Sequence, residues 1–150
     1  MANSQPETPR PLAPHELQAR LQRFTGSETF YTHFTGRLIY TEGVHYLAEH
    51  AGAYWLIDAI ASWQTEPKVR AAPFQVWRLT VTQDRSAVLE VAEDHDERGH
   101  PVHARNAAER AAGHWTRGPL ARQAIPWTDF PLDTIDLWVC RGVLMLPSEY

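Results

Sequence analysis

TEGVHYLAEHAGAYWLIDAIASWQ, residues 41 to 64, holds two helices and the stop between them. Thr41 suits an N-cap, because its hydroxyl can accept from one of the backbone N–H groups left unpaired in the first turn. Glu42 follows where the helix dipole favours an acid. Val44, Leu47, Ala48 and Ala51 then recur at helical spacing along one face. Gly52 interrupts. From Ala53 to Trp63 the chain is apolar nearly all round, the pattern of a helix at the buried centre of a domain. Asp58 is the one acid in that run.

Working outward, residues 64 to 73 carry Pro67 and Pro73 and predict a loop. Beyond it the period changes from helical to alternating. Phe74 to Thr82, with Phe74, Val76, Leu79 and Val81 as its apolar set and Trp77 and Arg78 between, pairs with Val88, Leu89 and Val91 across the turn Asp84-Arg85-Ser86. Leu120 to Trp127 is a further strand. Asp129-Phe130-Pro131 makes a turn, and Ile135, Leu137 and Val139 alternate with Asp136, Trp138 and Cys140. Arg141-Gly142 is a two-residue hairpin turn into Val143 to Leu146. Upstream, Phe30, Thr32, Phe34, Leu38 and Tyr40 fall around Thr35-Gly36, as a short hairpin or an irregular segment. Pro14 opens a helix bearing Leu17, Leu21 and Phe24, which Gly26 stops. Helices first and antiparallel strands after predict an α+β domain, a helix pair packed on a four- to five-stranded mainly antiparallel sheet. Val143 to Leu146 is expected to be an edge strand open to a two-fold partner.

A chain of 150 residues with 43% apolar and 21% charged residues fits one globular domain. Residues 1 to 12 read as a flexible tail and 13 to 150 as the domain, with a surface insertion near 93 to 119. Within the insertion, residues 93 to 103 form a polar loop and the alanine-rich 106 to 112 a short helix. Fourteen Lys and Arg against eighteen Asp and Glu disfavour a phosphate-gripping surface. The regular spacing of Arg105, Arg110, Arg117 and Arg122 leaves a local basic patch open. The single cysteine, Cys140, excludes an intrachain disulfide and a cysteine-built zinc site. No apolar run approaches the ~20 residues that cross a bilayer, and residues 1 to 14 lack a secretory pattern. A cytoplasmic protein without a cofactor is expected.

Four segments carry a resemblance. TEGVHYLAEHAGAYWLIDAIASWQ, the ending WTDFPLDTIDLWVCRGVLMLPSEY (Trp127–Tyr150), PFQVWRLTV (Pro73–Val81) and FTGSETFY (Phe24–Tyr31) are similar to a family of small bacterial proteins of unknown function found in phage, plasmid and other mobile-element neighbourhoods. The segment from Glu93 to Pro119 departs from the family's pattern. The resemblance implies an accessory protein of mobile DNA, with a host or defence protein as its partner. It implies no activity.

Three groups of residues compete as functional sites. Asp58 must be paired, hydrogen-bonded or exposed at a cleft, because an isolated buried carboxylate is costly. Tyr54 and Ser62 lie one turn either side of it and form a polar line in which the three satisfy one another. His33 or His45 meeting that line would make an acid–base pair, the basis of a small hydrolase. The histidines His95, His100 and His103, with Glu90, Glu93, Asp94, Asp96 and Glu97, supply metal-ligating groups. Their spacing matches no established motif, and a solvated loop accounts for them. Among six tryptophans, Trp55 and Trp138 are assigned to the core. Trp63, Trp115 and Trp127 fall near element ends, where an exposed ring anchors a protein interface. Cys140 has no base in view and reads as inert. The reading these observations favour is a binding module.

Overall fold

The backbone of α2, Glu42–Ala51, starts where the cap residue places it: Thr41 Oγ1 accepts from the Val44 N–H at 3.3 Å. The computed structural model describes residues 12–93 and 120–150, so the expectations for the tail, the polar loop and the alanine-rich helix lie outside the described residues. Gly52 ends α2 in the left-handed conformation, with φ of 60°, where a side chain would be strained. The chain then turns into α3, Tyr54–Trp63. Leu56, Ile57, Ile60 and Ala61 of α3 are buried, whereas Tyr54, Asp58 and Ser62 are exposed. The helix expected to be enclosed all round thus shows one polar stripe to solvent. Its three members do not satisfy one another: the Ser62 hydroxyl donates to Ala59 O, and Tyr54 bonds to Glu49.

Helix α1, Pro14–Leu21, opens on its proline and buries Leu17 and Leu21. It stops short of Phe24, whose ring instead packs on Tyr46 with centroids 5.3 Å apart. A further turn, α4 at Pro67–Arg70, stands where a loop was expected. Pro67 suits a helix start, and Val69 is buried on its inner side.

Among the described residues seven strands form one sheet: β1 (Phe30–Thr32), β2 (Ile39–Thr41), β3 (Phe74–Val81), β4 (Ala87–Glu93), β5 (Ala121–Ile125), β6 (Thr134–Cys140) and β7 (Val143–Met145). Their spatial order is β1-β2-β7-β6-β3-β4-β5. All neighbours are antiparallel except β2 and β7. The sheet exceeds the expected four to five strands because the β1–β2 hairpin joins the antiparallel array through that parallel seam. Strand β7, expected at an edge, lies between β2 and β6. Arg141 and Gly142 turn the chain from β6 to β7 with φ of 52° and 83°, both left-handed as a two-residue hairpin of type I′ requires.

The β3 face is shifted in phase from the expectation. Trp77, Leu79 and Val81 share a face with Leu89, Val91, Leu137, Val139 and Leu144 and form one core with the helices. Trp138 is buried as expected, while Trp55 packs only partly against the core. Gln75, also buried, exchanges hydrogen bonds with Gln64 at 2.8 and 2.9 Å, accepts from Trp77 Nε1 at 2.9 Å and donates to Val69 O at 2.9 Å. This polar knot fixes the end of α3 and the α4 turn on the sheet. On the other face Arg78 meets Asp136 directly across from it, with contacts of 2.7 and 3.0 Å. That paired carboxylate holds the Arg78 guanidinium pKa above its ordinary value, against the opposing effect of burial.

Candidate functional site at the β1–β2 hairpin

The chain leaves β1 at His33 and returns at Leu38. The His33 N–H donates to Leu38 O at 2.8 Å, and the Gly36 N–H donates to His33 O at 2.8 Å. Gly36 adopts φ of 73°, which the Thr35-Gly36 turn needs and a side chain would resist. This closed loop buries the imidazole of His33 and aims it at α3.

Both ring nitrogens of His33 are engaged. The Thr35 N–H donates to Nδ1 at 3.3 Å, which makes Nδ1 an acceptor and assigns the ring proton to Nε2. Nε2 then faces Asp58 Oδ1 at 2.7 Å, and the Thr35 hydroxyl, 2.8 Å from Nδ1, donates to the ring. Carboxylate, imidazole and hydroxyl stand in a line. The His33 side chain is only 5% accessible, while Asp58 is 58% accessible. Phe34, at the loop tip and 86% exposed, lies against the His33 ring with centroids 4.3 Å apart.

His45, the other expected partner of Asp58, goes elsewhere. It stacks on Tyr31 at 4.2 Å, and its Nε2 lies 3.5 Å from Glu49 Oε1, one turn along α2. Tyr31 also stacks on Tyr40 across the hairpin at 5.5 Å. Tyr54 donates to Glu49 Oε1 at 2.5 Å. Burial raises the Tyr40 phenol pKa above its ordinary value, helped by the neighbouring Tyr31, Asp58 and Glu49. Burial raises that of Tyr54 further, together with its bond to Glu49. The helix-facing side of the hairpin is therefore a packed aromatic and acidic cluster in which Tyr40 and Tyr54 hold their protons more tightly than a free phenol.

The other side of the hairpin is open over Phe30, Thr32 and Ile39, while Thr41 is buried. The register Thr32↔Ile39 and Phe30↔Thr41 places Phe30, Thr32, Ile39 and Thr41 on the side away from Tyr31 and Tyr40. Phe30 is 52% and Ile39 39% exposed. Together with Phe34 they make three of the six exposed large apolar side chains among the described residues, all within one short hairpin. The outer edge of β1 carries no further strand among the described residues.

Among the tryptophans chosen as anchors, Trp63 is half-buried and donates to Gln123 Oε1 of β5 at 2.8 Å. Trp127 is 66% exposed, just past β5 at the opposite end of the sheet. Trp115 and the histidines His95, His100 and His103 lie outside the described residues, and the described residues hold no group of three His, Cys, Asp or Glu that could bind a metal. The reading of the sequence named His33 and Asp58 but missed Thr35, Glu49 and the exposed hairpin face. The alternation of Phe30, Thr32 and Phe34 was the one local signal for that face.

Two cavities lie apart from the histidine. One, of about 730 Å³, runs between α1 and the sheet and is lined by Gln18, Leu21, Arg78, Asp136 and Leu146 among others. The second, of about 360 Å³, is lined by Arg37, Arg70 and Arg141 with Gln64 and Gln75. Neither includes His33 or Thr35. None of the described helices is long and apolar enough to cross a membrane.

No curated protein and no solved structure matches the chain. A family model does match, over residues 15–150, from the start of α1 through the whole sheet. The chain belongs to the family of unknown function DUF6876.

Proposed function

We propose that this chain is a protein-binding module that docks through the β1–β2 hairpin. The observation that carries the reading is that Phe30, Phe34 and Ile39, three exposed apolar side chains, fall within one short hairpin beside an open strand edge. Exposed apolar groups scattered singly are ordinary, but several gathered on one rigid element mark an interface. His33, pinned between Thr35 and Asp58, supplies the mount, so little ordering is left to be done on binding. The partner suited to this surface presents an extended segment that adds to β1 and places apolar side chains against Phe30 and Ile39. In the context implied by the resemblance, the module is an accessory protein of mobile DNA, its partner is a host protein, and the effect is inhibition of a host defence system.

The test is a pull-down of the tagged chain from host lysate, with and without nuclease, followed by hydrogen exchange on the purified complex. One stoichiometric protein partner that protects residues 30 to 41 and is lost in Phe34→Ser supports the docking site. Loss in Trp127→Ser instead would move the interface to the far edge of the sheet. Partners that disappear with nuclease would replace the reading with nucleic-acid binding.

A hydrolase is the second reading, and the line Asp58–His33–Thr35 favours it. In that arrangement His33 Nδ1 takes the Thr35 proton as the hydroxyl attacks an ester carbonyl, and returns it to the departing alkoxide as the C–O bond breaks, while Asp58 steadies the imidazolium; water then frees the acyl group from Thr35. Thr35 is exposed, so a substrate can reach it. Turnover of an activated ester that disappears in both Thr35→Val and His33→Gln, with binding of the protein partner intact, would establish this chemistry.

A further inference from the structure

The second cavity has a composition at odds with the chain's charge. The protein carries a net charge of −4, yet three exposed arginines line one cleft of about 360 Å³, and none of its lining residues among those described is acidic. Two other arginines of the fold are occupied: Arg78 is paired with Asp136, and Arg85 donates to Thr128 O and Phe130 O. The guanidiniums of Arg37, Arg70 and Arg141 have no hydrogen bond or ion pair among the described residues.

The fold presents them deliberately. Arg37 sits on the return of the hairpin loop, two residues before β2. Arg141 is held at φ of 52° in the β6–β7 turn, and its N–H donates to Pro73 O at 3.1 Å. The Ile39 N–H donates to Gly142 O at 3.0 Å, which ties those two turns side by side. Arg70 ends α4, the turn anchored by the Gln64–Gln75 knot at the cleft's lining. A floor whose amides are already satisfied leaves the arginines as the groups that select a ligand.

We propose that this cleft binds a phosphate monoester or diphosphate carried by a small molecule. Guanidinium forks match phosphate oxygens in geometry and charge. Three charges on one cleft suit a multiply charged terminal phosphate better than the singly charged diesters spaced along a nucleic-acid strand. The site shares Arg37 with the docking hairpin, but its test reads neither partner binding nor ester turnover.

The experiment is thermal melting of the whole chain with inorganic phosphate, pyrophosphate, a nucleoside diphosphate or a short oligonucleotide lacking terminal phosphates, each against sulfate at equal ionic strength. With about 10 mM pyrophosphate the melting temperature rises by about 3–6 °C over the sulfate control. Arg37→Gln and Arg70→Gln each lose most of that rise, as does Arg141→Asn, whose asparagine tolerates the left-handed turn. Arg23→Gln, outside the cleft, keeps it. A further rise with the nucleoside diphosphate assigns the ligand to a nucleotide, and equal rises with pyrophosphate alone assign it to the phosphate itself. The proposal falls if pyrophosphate adds nothing to the sulfate shift, if the cleft variants keep the rise, or if only the oligonucleotide binds.

Discussion

Replacing Asp58 by alanine tests the mount on which the hairpin reading depends. The change removes the carboxylate that accepts from His33 Nε2 at 2.7 Å and leaves a 5% accessible imidazole without its partner. A hydrogen bond to a charged group contributes about 1.5–3 kcal/mol. Asp58 is 58% exposed, so solvent screening and replacement by water bring the loss down to about 1–1.5 kcal/mol. For a domain of this size that corresponds to a fall in melting temperature of about 2–6 °C. The loss should concentrate in the hairpin. Amide exchange at His33 and Gly36 accelerates, while the β3–β4 and β3–β6 pairs keep their protection. Asp58→Asn retains an acceptor oxygen and loses about half as much. Loosening the hairpin also weakens docking by roughly threefold to tenfold, the cost of ordering a side chain or two on binding. An Asp58→Ala protein with unchanged melting and unchanged hairpin exchange would refute the mount and with it the preorganised interface.

Three other perturbations give equally definite outcomes. Gly43→Ala would place a Cβ 2.5 Å from Glu149 Oε1 and 2.6 Å from Leu146 Cδ1, so it destabilises by about 1–3 kcal/mol in urea titration despite alanine's better helix propensity. Gln75→Leu strands the Gln64 amide, Val69 O and Trp77 Nε1 in a buried site and costs at least about 2–4 kcal/mol, measured in the same titration. The phenols of Tyr40 and Tyr54 have folded pKa values raised above 10.0, so their contribution is fully present below pH 10 and is lost as pH climbs beyond it. Urea midpoints therefore decline above pH 10, and less steeply in Tyr54→Phe.

The parts legible in the sequence are those written in local chemistry. Thr41, Gly52, the Asp84 turn and Arg141-Gly142 each mark an element boundary by what their own backbone needs, and the structure places boundaries there. The polar stripe of α3 was present in the spacing of Tyr54, Asp58 and Ser62, but the apolar composition around it outweighed the pattern. The phase of β3 was obscured because both faces of that strand carry apolar groups, Val76 on one and Leu79 on the other. The pairing of β2 with β7 joins residues about a hundred positions apart and leaves no mark in either segment. The site divides the same way. A lone acid in an apolar helix pointed to Asp58, and His33 was within view. Thr35 depends on loop geometry that composition does not encode. The arginine cleft gathers positions 37, 70 and 141 from three turns, and a net negative charge masked it.

The place of β7 has a bearing on how the molecule is assembled. Three residues, Val143 to Met145, connect the hairpin and its helices to the strands that follow them. Until that segment is available, residues 30 to 41 have no lateral neighbour in the larger sheet, and two half-built layers must wait beside each other. The closing step is an insertion between waiting edges, spanning most of the chain, and contacts of that range slow folding. A change that weakens β7 would therefore act first on the rate at which the sheet becomes one, leaving β3–β4 and the α2–α3 pair free to form early. The open edges of the intermediate, β2 and β6, are then the surfaces through which the unfinished protein would self-associate.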